Sequence, residues 1–152
     1  MVRTRFGICR LLALWAGLGL AAACAGADYR TVAESATVLY DAPSSKGRRL
    51  FVLGAGYPLE VIVSVEGWTK VRDSGGTIGW VEARALGPRR MVVVKPSVAE
   101  VRAAPEAGAA VVFKVARNVV LEWVETLPSG WTHVRHAEAG QGFLPSAELW
   151  GS

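Results

Sequence analysis

An internal repeat dominates the sequence. The hexapeptide GWTKVR at residues 67–72 returns as GWTHVR at residues 130–135, 63 positions later. Each copy is followed by a glycine–aromatic–aliphatic triplet, at residues 79–81 and again at 142–144, with the same offset. Self-similarity at a fixed spacing indicates two copies of one small structural unit, so most of the chain is a tandem pair.

Each copy has the pattern of short antiparallel strands. Residues 59–66 alternate with period two, are rich in β-branched side chains and are bounded by Pro58 and Gly67, which favours a strand over a helix. One face of this strand carries the apolar side chains Leu59, Val61, Val63 and Val65. The opposite face carries Glu60, Ile62, Ser64 and Glu66. This pattern predicts a strand buried on one face only.

Turn-forming residues separate several further segments of high β-propensity. Residues 31–33 are β-prone, and with residues 59–66 the strands predicted at 37–40, 50–53, 68–72 and 77–81 make five, followed by one helical turn at 82–86. Short strands joined by tight turns predict an all-β fold in which each copy is a small five-stranded barrel, because closure removes exposed strand edges.

The N-terminus has the composition of a secretory signal peptide. Three arginines within residues 3–10 precede an uncharged run at 11–23, which is too short to span a bilayer comfortably. Small residues at 25–27 predict cleavage before Asp28, with a retained anchor as the alternative. Cys24 loosely resembles a lipoprotein acylation site but lacks the large aliphatic residue three positions earlier, so plain export is preferred over lipidation.

The predicted domains are a signal peptide at 1–27, a first barrel at 28–87 and a second barrel at 88–152. Cleavage would leave 14 basic and 13 acidic residues, a net charge of +1, and no cysteine. A nearly neutral chain lacks the basic surface that binds nucleic acid or anionic lipid, so neither is an expected partner. A membrane would become a partner only if Cys24 were lipidated. The linker from Gly87 to Arg90 spans at most about 14 Å, so the barrels are expected to pack together and unfold together.

The motif order resembles the bacterial Src homology 3 (SH3) domain family. The matching residues in the first copy are Ala42, Pro43, Gly67, Trp68, Val71, Gly79, Trp80, Val81 and Leu86. Those in the second copy are Ala104, Pro105, Gly130, Trp131, Val134, Gly142, Phe143, Leu144 and Leu149. Phe143 departs from the tryptophan usual in the family. The resemblance implies an exported or cell-wall SH3-like barrel, some relatives of which bind peptidoglycan or its stem peptide.

Aromatic and cationic side chains recur together in both copies. Trp68, Lys70 and Arg72 share one face of their strand, and Trp131, His133 and Arg135 repeat the arrangement. An aromatic plane flanked by cations suits a sugar ring or an acidic peptide. In the alternative interpretation each tryptophan only covers one end of its own barrel, and the cations are only solvated.

Three further aromatic residues are candidates for a groove. Tyr40 and Tyr57 flank predicted loops, and Trp80 lies on a neighbouring strand, although ordinary packing would explain all three equally well. Tyr40 is replaced by Arg102 in the second copy, which places the expected groove in the first copy or between the copies.

Catalytic and metal-binding patterns are weak. His133 and His136 are three apart, which places them on opposite faces of a strand, and too few other ligands are nearby for a metal. Glu60 and Glu122 are equivalent through the repeat rather than an acid–base pair. The sequence therefore predicts a non-enzymatic protein without a cofactor, which binds peptidoglycan or a wall-associated envelope protein. The alternative is a structural or regulatory subunit that docks on another envelope protein without affinity for glycan.

Overall fold

A computed structural model describes residues 26–152. The predicted signal peptide falls almost wholly outside these residues, as does Cys24 with its alternative of lipidation. Within the described part of the chain, no helix has the length and hydropathy needed to cross a bilayer.

Two antiparallel sheets follow one another along the chain. The first, called barrel 1, contains β1 (Tyr29–Val32), β2 (Thr37–Tyr40), β3 (Arg49–Leu53), β4 (Pro58–Val65), β5 (Trp68–Arg72), β6 (Ile78–Glu82) and β7 (Leu86–Gly87). Its strand order is β3-β2-β6-β5-β4-β1-β7. A 3-10 turn at Ala83–Ala85 connects β6 to β7, where one helical turn is predicted.

The second sheet, called barrel 2, repeats this plan. It contains β8 (Met91–Val94), β9 (Val98–Arg102), β10 (Val111–Ala116), β11 (Val120–Thr126), β12 (Trp131–His136), β13 (Gly140–Pro145) and β14 (Leu149–Trp150). Its order, β10-β9-β13-β12-β11-β8-β14, is that of barrel 1. The all-β tandem prediction is confirmed. Each sheet has seven strands because the short segments at its two chain ends also pair.

Equivalent aliphatic side chains form the two cores. Fully buried residues in barrel 1 include Leu39, Leu59, Val71 and Val81, and their counterparts in barrel 2 are Val101, Leu121, Val134 and Leu144. Each of the eight has 0 % of its surface exposed. The repeated sequence therefore encodes the same core twice, since the motif residues Val71 and Val134 lie at its centre.

A β-bulge in β4 corrects one prediction. The pairing of β4 with β5 shifts between Val61 and Val63, which leaves Ile62 as an extra residue. One extra residue exchanges the two faces of a strand. Val63 and Val65 therefore leave the core face, with 43 % and 45 % of their surfaces exposed, and the prediction that they share a buried face with Leu59 is wrong. Ser64 instead turns toward Thr69.

The glycine of each glycine–aromatic–aliphatic triplet is required by a close strand approach. A Cβ atom at Gly79 would lie 2.6 Å from Leu39 Cγ and 2.8 Å from the carbonyl oxygen of Tyr40. A Cβ atom at Gly142 would lie 2.6 Å from the carbonyl oxygen of Arg102. These glycines allow β6 and β13 to cross β2 and β9, so a residue with a side chain does not fit there.

The two barrels touch through an aromatic and cationic junction. The Tyr29 ring meets the Trp150 ring edge-on, with centroids 5.2 Å apart. The Arg90 guanidinium lies 5.8 Å from the Tyr29 centroid and 4.7 Å from the Trp123 centroid. Its Nη2 donates to the carbonyl oxygen of Gly151 over 3.1 Å. The short linker therefore supplies a side chain that joins both barrels.

Candidate ligand-binding surface

Strand β5 presents the predicted residues outward. Thr69 and Val71 are buried, while Trp68, Lys70 and Arg72 alternate with them and remain partly exposed. Gly67 directly precedes this strand with a φ of 76°, a conformation that favours glycine and turns the chain into Trp68. The alternation of the hexapeptide is thus preserved in the fold, and its aromatic and cationic side chains share the outer face.

Neighbouring strands complete this surface. Lys70 pairs across β5 and β6 with Trp80, and Trp80 pairs across to Tyr40 on β2. The Tyr40 and Trp68 rings meet edge-on, with centroids 5.5 Å apart. We call Tyr40, Trp68, Lys70, Arg72 and Trp80 together the first aromatic–cation face. Only 7 % of Tyr40 is exposed, so its role on this face is chiefly to support the Trp68 ring.

Each cation on this face has a partner. Lys70 Nζ lies 5.7 Å from the Trp80 ring centroid, a cation–π distance. Arg72 Nη1 lies 2.9 Å from Glu60 Oε2 on the adjacent strand. These contacts hold the side chains in place before any ligand arrives, which lowers the entropy lost on binding.

Barrel 2 carries an equivalent surface with different chemistry. Trp131, His133 and Arg135 repeat the β5 positions on β12, and His133 stacks on Phe143 with centroids 4.7 Å apart. Arg102 occupies the place of Tyr40, paired with Phe143. We call these five residues the second aromatic–cation face. The two faces differ because His133 replaces Lys70, Phe143 replaces Trp80 and Arg102 replaces Tyr40.

A hollow adjoins each face. In barrel 1 it measures about 130 Å³, and its lining includes Thr37, Tyr40, Glu82 and Arg84. In barrel 2 it measures about 290 Å³, and its lining includes Glu100, Arg102, Trp131 and Glu148. The Thr37 hydroxyl is buried and has no hydrogen-bond partner within residues 26–152. The hollow beside the second face is thus larger than the one beside the first, and a hollow of about 340 Å³ lies between the copies, with Val32 and Met91 in its lining.

Arg102 is a candidate that sequence reasoning missed. Its guanidinium donates to Glu100 Oε2 over 2.7 Å and to the carbonyl oxygen of Ala109 over 2.8 Å. Glu100 also accepts from Lys114, whose hydrogen bond and charge lower the pKa of its carboxyl below the usual value. The only sign of it in the sequence is that Arg102 stands at the position equivalent to Tyr40. That substitution marks the position but gives no information on the hollow beside it.

Tyr57 lies apart from both faces. Its ring packs against the core of barrel 1, and its hydroxyl is within hydrogen-bond distance of Ser74 Oγ. The structure thus brings together seven of the eight predicted ligand-binding residues as two surfaces, five in barrel 1 and Trp131 with Arg135 in barrel 2. It does not bring Tyr57 to either surface.

Two small antiparallel barrels with the same strand order and repeated outward aromatic residues define a tandem SH3-like architecture. The family model described as bacterial SH3 domain matches residues 33–88 and 95–151. The chain therefore belongs to the bacterial SH3 domain family, in two tandem copies.

Solved structures similar to this chain include two from Trichomonas vaginalis. NlpC1 is 15 % identical with a TM-score of 0.39, and the match covers 82 % of this chain and 45 % of that one. NlpC2 is 14 % identical with a TM-score of 0.39, and the match covers 82 % of this chain and 47 % of that one. The chain thus spans less than half the length of either protein. A search of curated proteins finds no match.

Proposed function

We propose that this chain is an exported, non-catalytic binding module of the bacterial cell envelope that binds peptidoglycan through its two aromatic–cation faces. The observation that carries the proposal is the recurrence of partly exposed tryptophan, cationic side chains and an adjoining hollow at equivalent positions in both barrels. Membership of the bacterial SH3 domain family supports an envelope role.

The chemistry of the faces suits a polymer of sugars and short acidic peptides. Indole rings such as those of Trp80 and Trp131 provide flat apolar area for a sugar ring. Lys70 and Arg135 provide positive charge for peptide carboxylates. Two sites on one chain suit a repeating ligand, because binding at one face raises the effective concentration of ligand at the other.

The amino-acid sequence supports export and the absence of catalysis. The basic start and the apolar run at residues 11–23 have the pattern of a signal peptide, and residues 28–152 contain no cysteine for a wall peptidase mechanism. The two equivalent glutamates are each engaged in ion pairs, Glu60 with Arg72 and Glu122 with Arg89 and Arg135. Their roles are therefore structural in this proposal.

Co-sedimentation with insoluble peptidoglycan sacculi tests the proposal at low and at physiological salt. We expect retention at both salts, and a loss of affinity of about 5- to 30-fold for each of Trp80→Ala and Trp131→Ala, the effect of about 1–2 kcal/mol from truncating one aromatic contact residue. Ile62→Ala is the matched control, since Ile62 is 43 % exposed and apolar but lies on the bulge outside both faces. Recovery of the wild-type protein in the supernatant at both salts would refute the proposal.

A second candidate function is docking on another envelope protein. β3 and β10 are edge strands of their sheets, and both expose apolar side chains. The exposed fraction is 63 % for Val52 and 49 % for Val112. Exposed apolar edge strands are suited to pairing with a strand of a partner. Crosslinking in the envelope distinguishes the two functions, because partner capture that is lost in Val52→Lys and kept in Trp80→Ala would favour docking.

A further inference from the structure

The two barrels differ on the core side of the bulged strand. In barrel 2 the indole of Trp123 donates to Thr126 Oγ1 over 2.9 Å. That hydroxyl lies 3.3 Å from the hydroxyl of Thr132, which lies 2.8 Å from Ser146 Oγ. An indole and three hydroxyl groups therefore form a connected chain that runs from the exposed Thr126 to the buried Thr132 and on to Ser146.

Barrel 1 lacks both ends of this chain. The counterparts of the four residues are Val61, Ser64, Thr69 and Ala83. Valine removes the indole, and alanine removes the last hydroxyl. The result is a hollow of about 180 Å³, which we call the bulge hollow. Its lining consists of these four residues with Asp28, Arg30 and Leu86.

The two hydroxyl groups that remain are held only loosely to each other, and Ser64 is exposed to solvent. Thr69 is 4 % exposed, and its hydroxyl lies 3.5 Å from that of Ser64, at the limit for a hydrogen bond. In barrel 2 the hydroxyl equivalent to that of Ser64 receives the indole N–H. An acceptor is therefore present at the bulge hollow, at the position where barrel 2 supplies the matching donor from its own chain.

We propose that the bulge hollow binds a planar aromatic group that carries an N–H or O–H donor, as a tryptophan side chain does. An enclosed apolar cavity of roughly 150 Å³ accommodates a benzene ring, so this hollow, although open and mostly polar in its lining, has room for one small aromatic group. Asp28 and Arg30 at its rim lie 3.3 Å apart and nearly cancel in charge, which favours a neutral ligand. The ligand replaces the ring that Val61 lacks.

This site is separate from the first aromatic–cation face. Thr69 and Trp68 are adjacent in β5, so their side chains lie on opposite faces of the sheet. Binding at the bulge hollow is therefore expected to survive Trp80→Ala, whatever the result of the sacculus experiment.

Indole and 1-methylindole are matched probes because they differ in the N–H donor. In titrations of the ¹⁵N-labelled protein followed by NMR, indole should shift the amides around Ser64 and Thr69. 1-Methylindole should bind about tenfold more weakly, the effect of one hydrogen bond. Equal affinity of the two probes would refute the role of the donor, and shifts centred on barrel 2 would refute the site.

Variants that fill the hollow provide the decisive comparison. Val61→Trp supplies the indole found in barrel 2, so it should abolish indole binding and raise Tm. Val63→Trp adds the same ring on the outer face, where Val63 is exposed, and should leave indole binding unchanged. Ala83→Leu, at an exposed lining position, blocks the hollow from the other side if Val61→Trp does not fold. Indole shifts that persist at Ser64 in a folded filling variant would overturn the proposal.

Discussion

Replacing Gly79 by alanine tests the closest strand approach in barrel 1. The added Cβ would lie 2.6 Å from Leu39 Cγ and 2.8 Å from the carbonyl oxygen of Tyr40. A flexible side chain could move aside, but the carbonyl oxygen belongs to β2, whose contact with β6 has one register pair, Tyr40 with Trp80. The clash therefore falls on backbone that cannot move without opening the sheet.

The magnitude follows from the rigidity of this contact. Overpacking a well-packed core costs about 1–3 kcal/mol. Gly79→Ala should lie near the upper end of this cost, because the added methyl group meets backbone on one side and the buried Leu39 on the other. At roughly 4 °C per kcal/mol for a unit of this size, Tm should fall by about 12 °C. Differential scanning calorimetry measures this change directly. Gly142→Ala should behave in the same way in barrel 2.

Gly108→Ala is the matched control. Gly108 lies in the loop between β9 and β10, and a Cβ there would meet no atom within 4 Å. The same substitution should leave the free energy of unfolding unchanged or raise it by about 0.5 kcal/mol, because alanine restricts the unfolded chain. A Tm for Gly79→Ala within about 2 °C of that for Gly108→Ala would show that β2 and β6 are not as closely packed as described.

Two further predictions concern the junction. Arg90→Ala removes the contacts with Tyr29, Trp123 and Gly151, so it should lower the free energy of unfolding by about 1–3 kcal/mol. It should also split a single calorimetric transition into two. An unchanged transition would contradict the coupled unfolding of the two barrels. Burial raises the pKa of Tyr29, with Glu60 adding and Arg90 opposing. The folded pKa of Tyr29 exceeds its unfolded value of about 10. The contribution of Tyr29 to the free energy of unfolding is therefore fully present below about pH 10 and is lost as pH rises through the folded pKa. Absorbance titration of the wild type should show a late-titrating tyrosine that is missing from Tyr29→Phe.

The first aromatic–cation face could be predicted from sequence because its geometry is local. Alternation within one strand places Trp68, Lys70 and Arg72 together whatever the rest of the chain does. Trp80 joins them because a tight turn brings β6 beside β5. Tyr57 could not be placed in this way, because its position depends on packing against the core rather than on strand period.

The hollow beside Arg102 could not be predicted. Its lining combines β9, the following loop, β12 and the end of β13, so its volume depends on the relative positions of segments far apart in sequence. A substitution pattern such as tyrosine to arginine marks the position as different but contains no information on the space around it. The sequence therefore does not predict that the hollow beside the second aromatic–cation face is larger than the one beside the first.

The amino-acid sequence by itself determined the tandem all-β architecture, because the repeat, the strand period and the turn residues are local properties. Only the tertiary structure decided which face Val63 occupies, since one bulge residue reverses the alternation. It also decided that the space filled by Trp123 and Ser146 in barrel 2 stays open beside Val61 and Ala83 in barrel 1. Such differences arise from packing between residues distant in sequence, which local patterns do not encode.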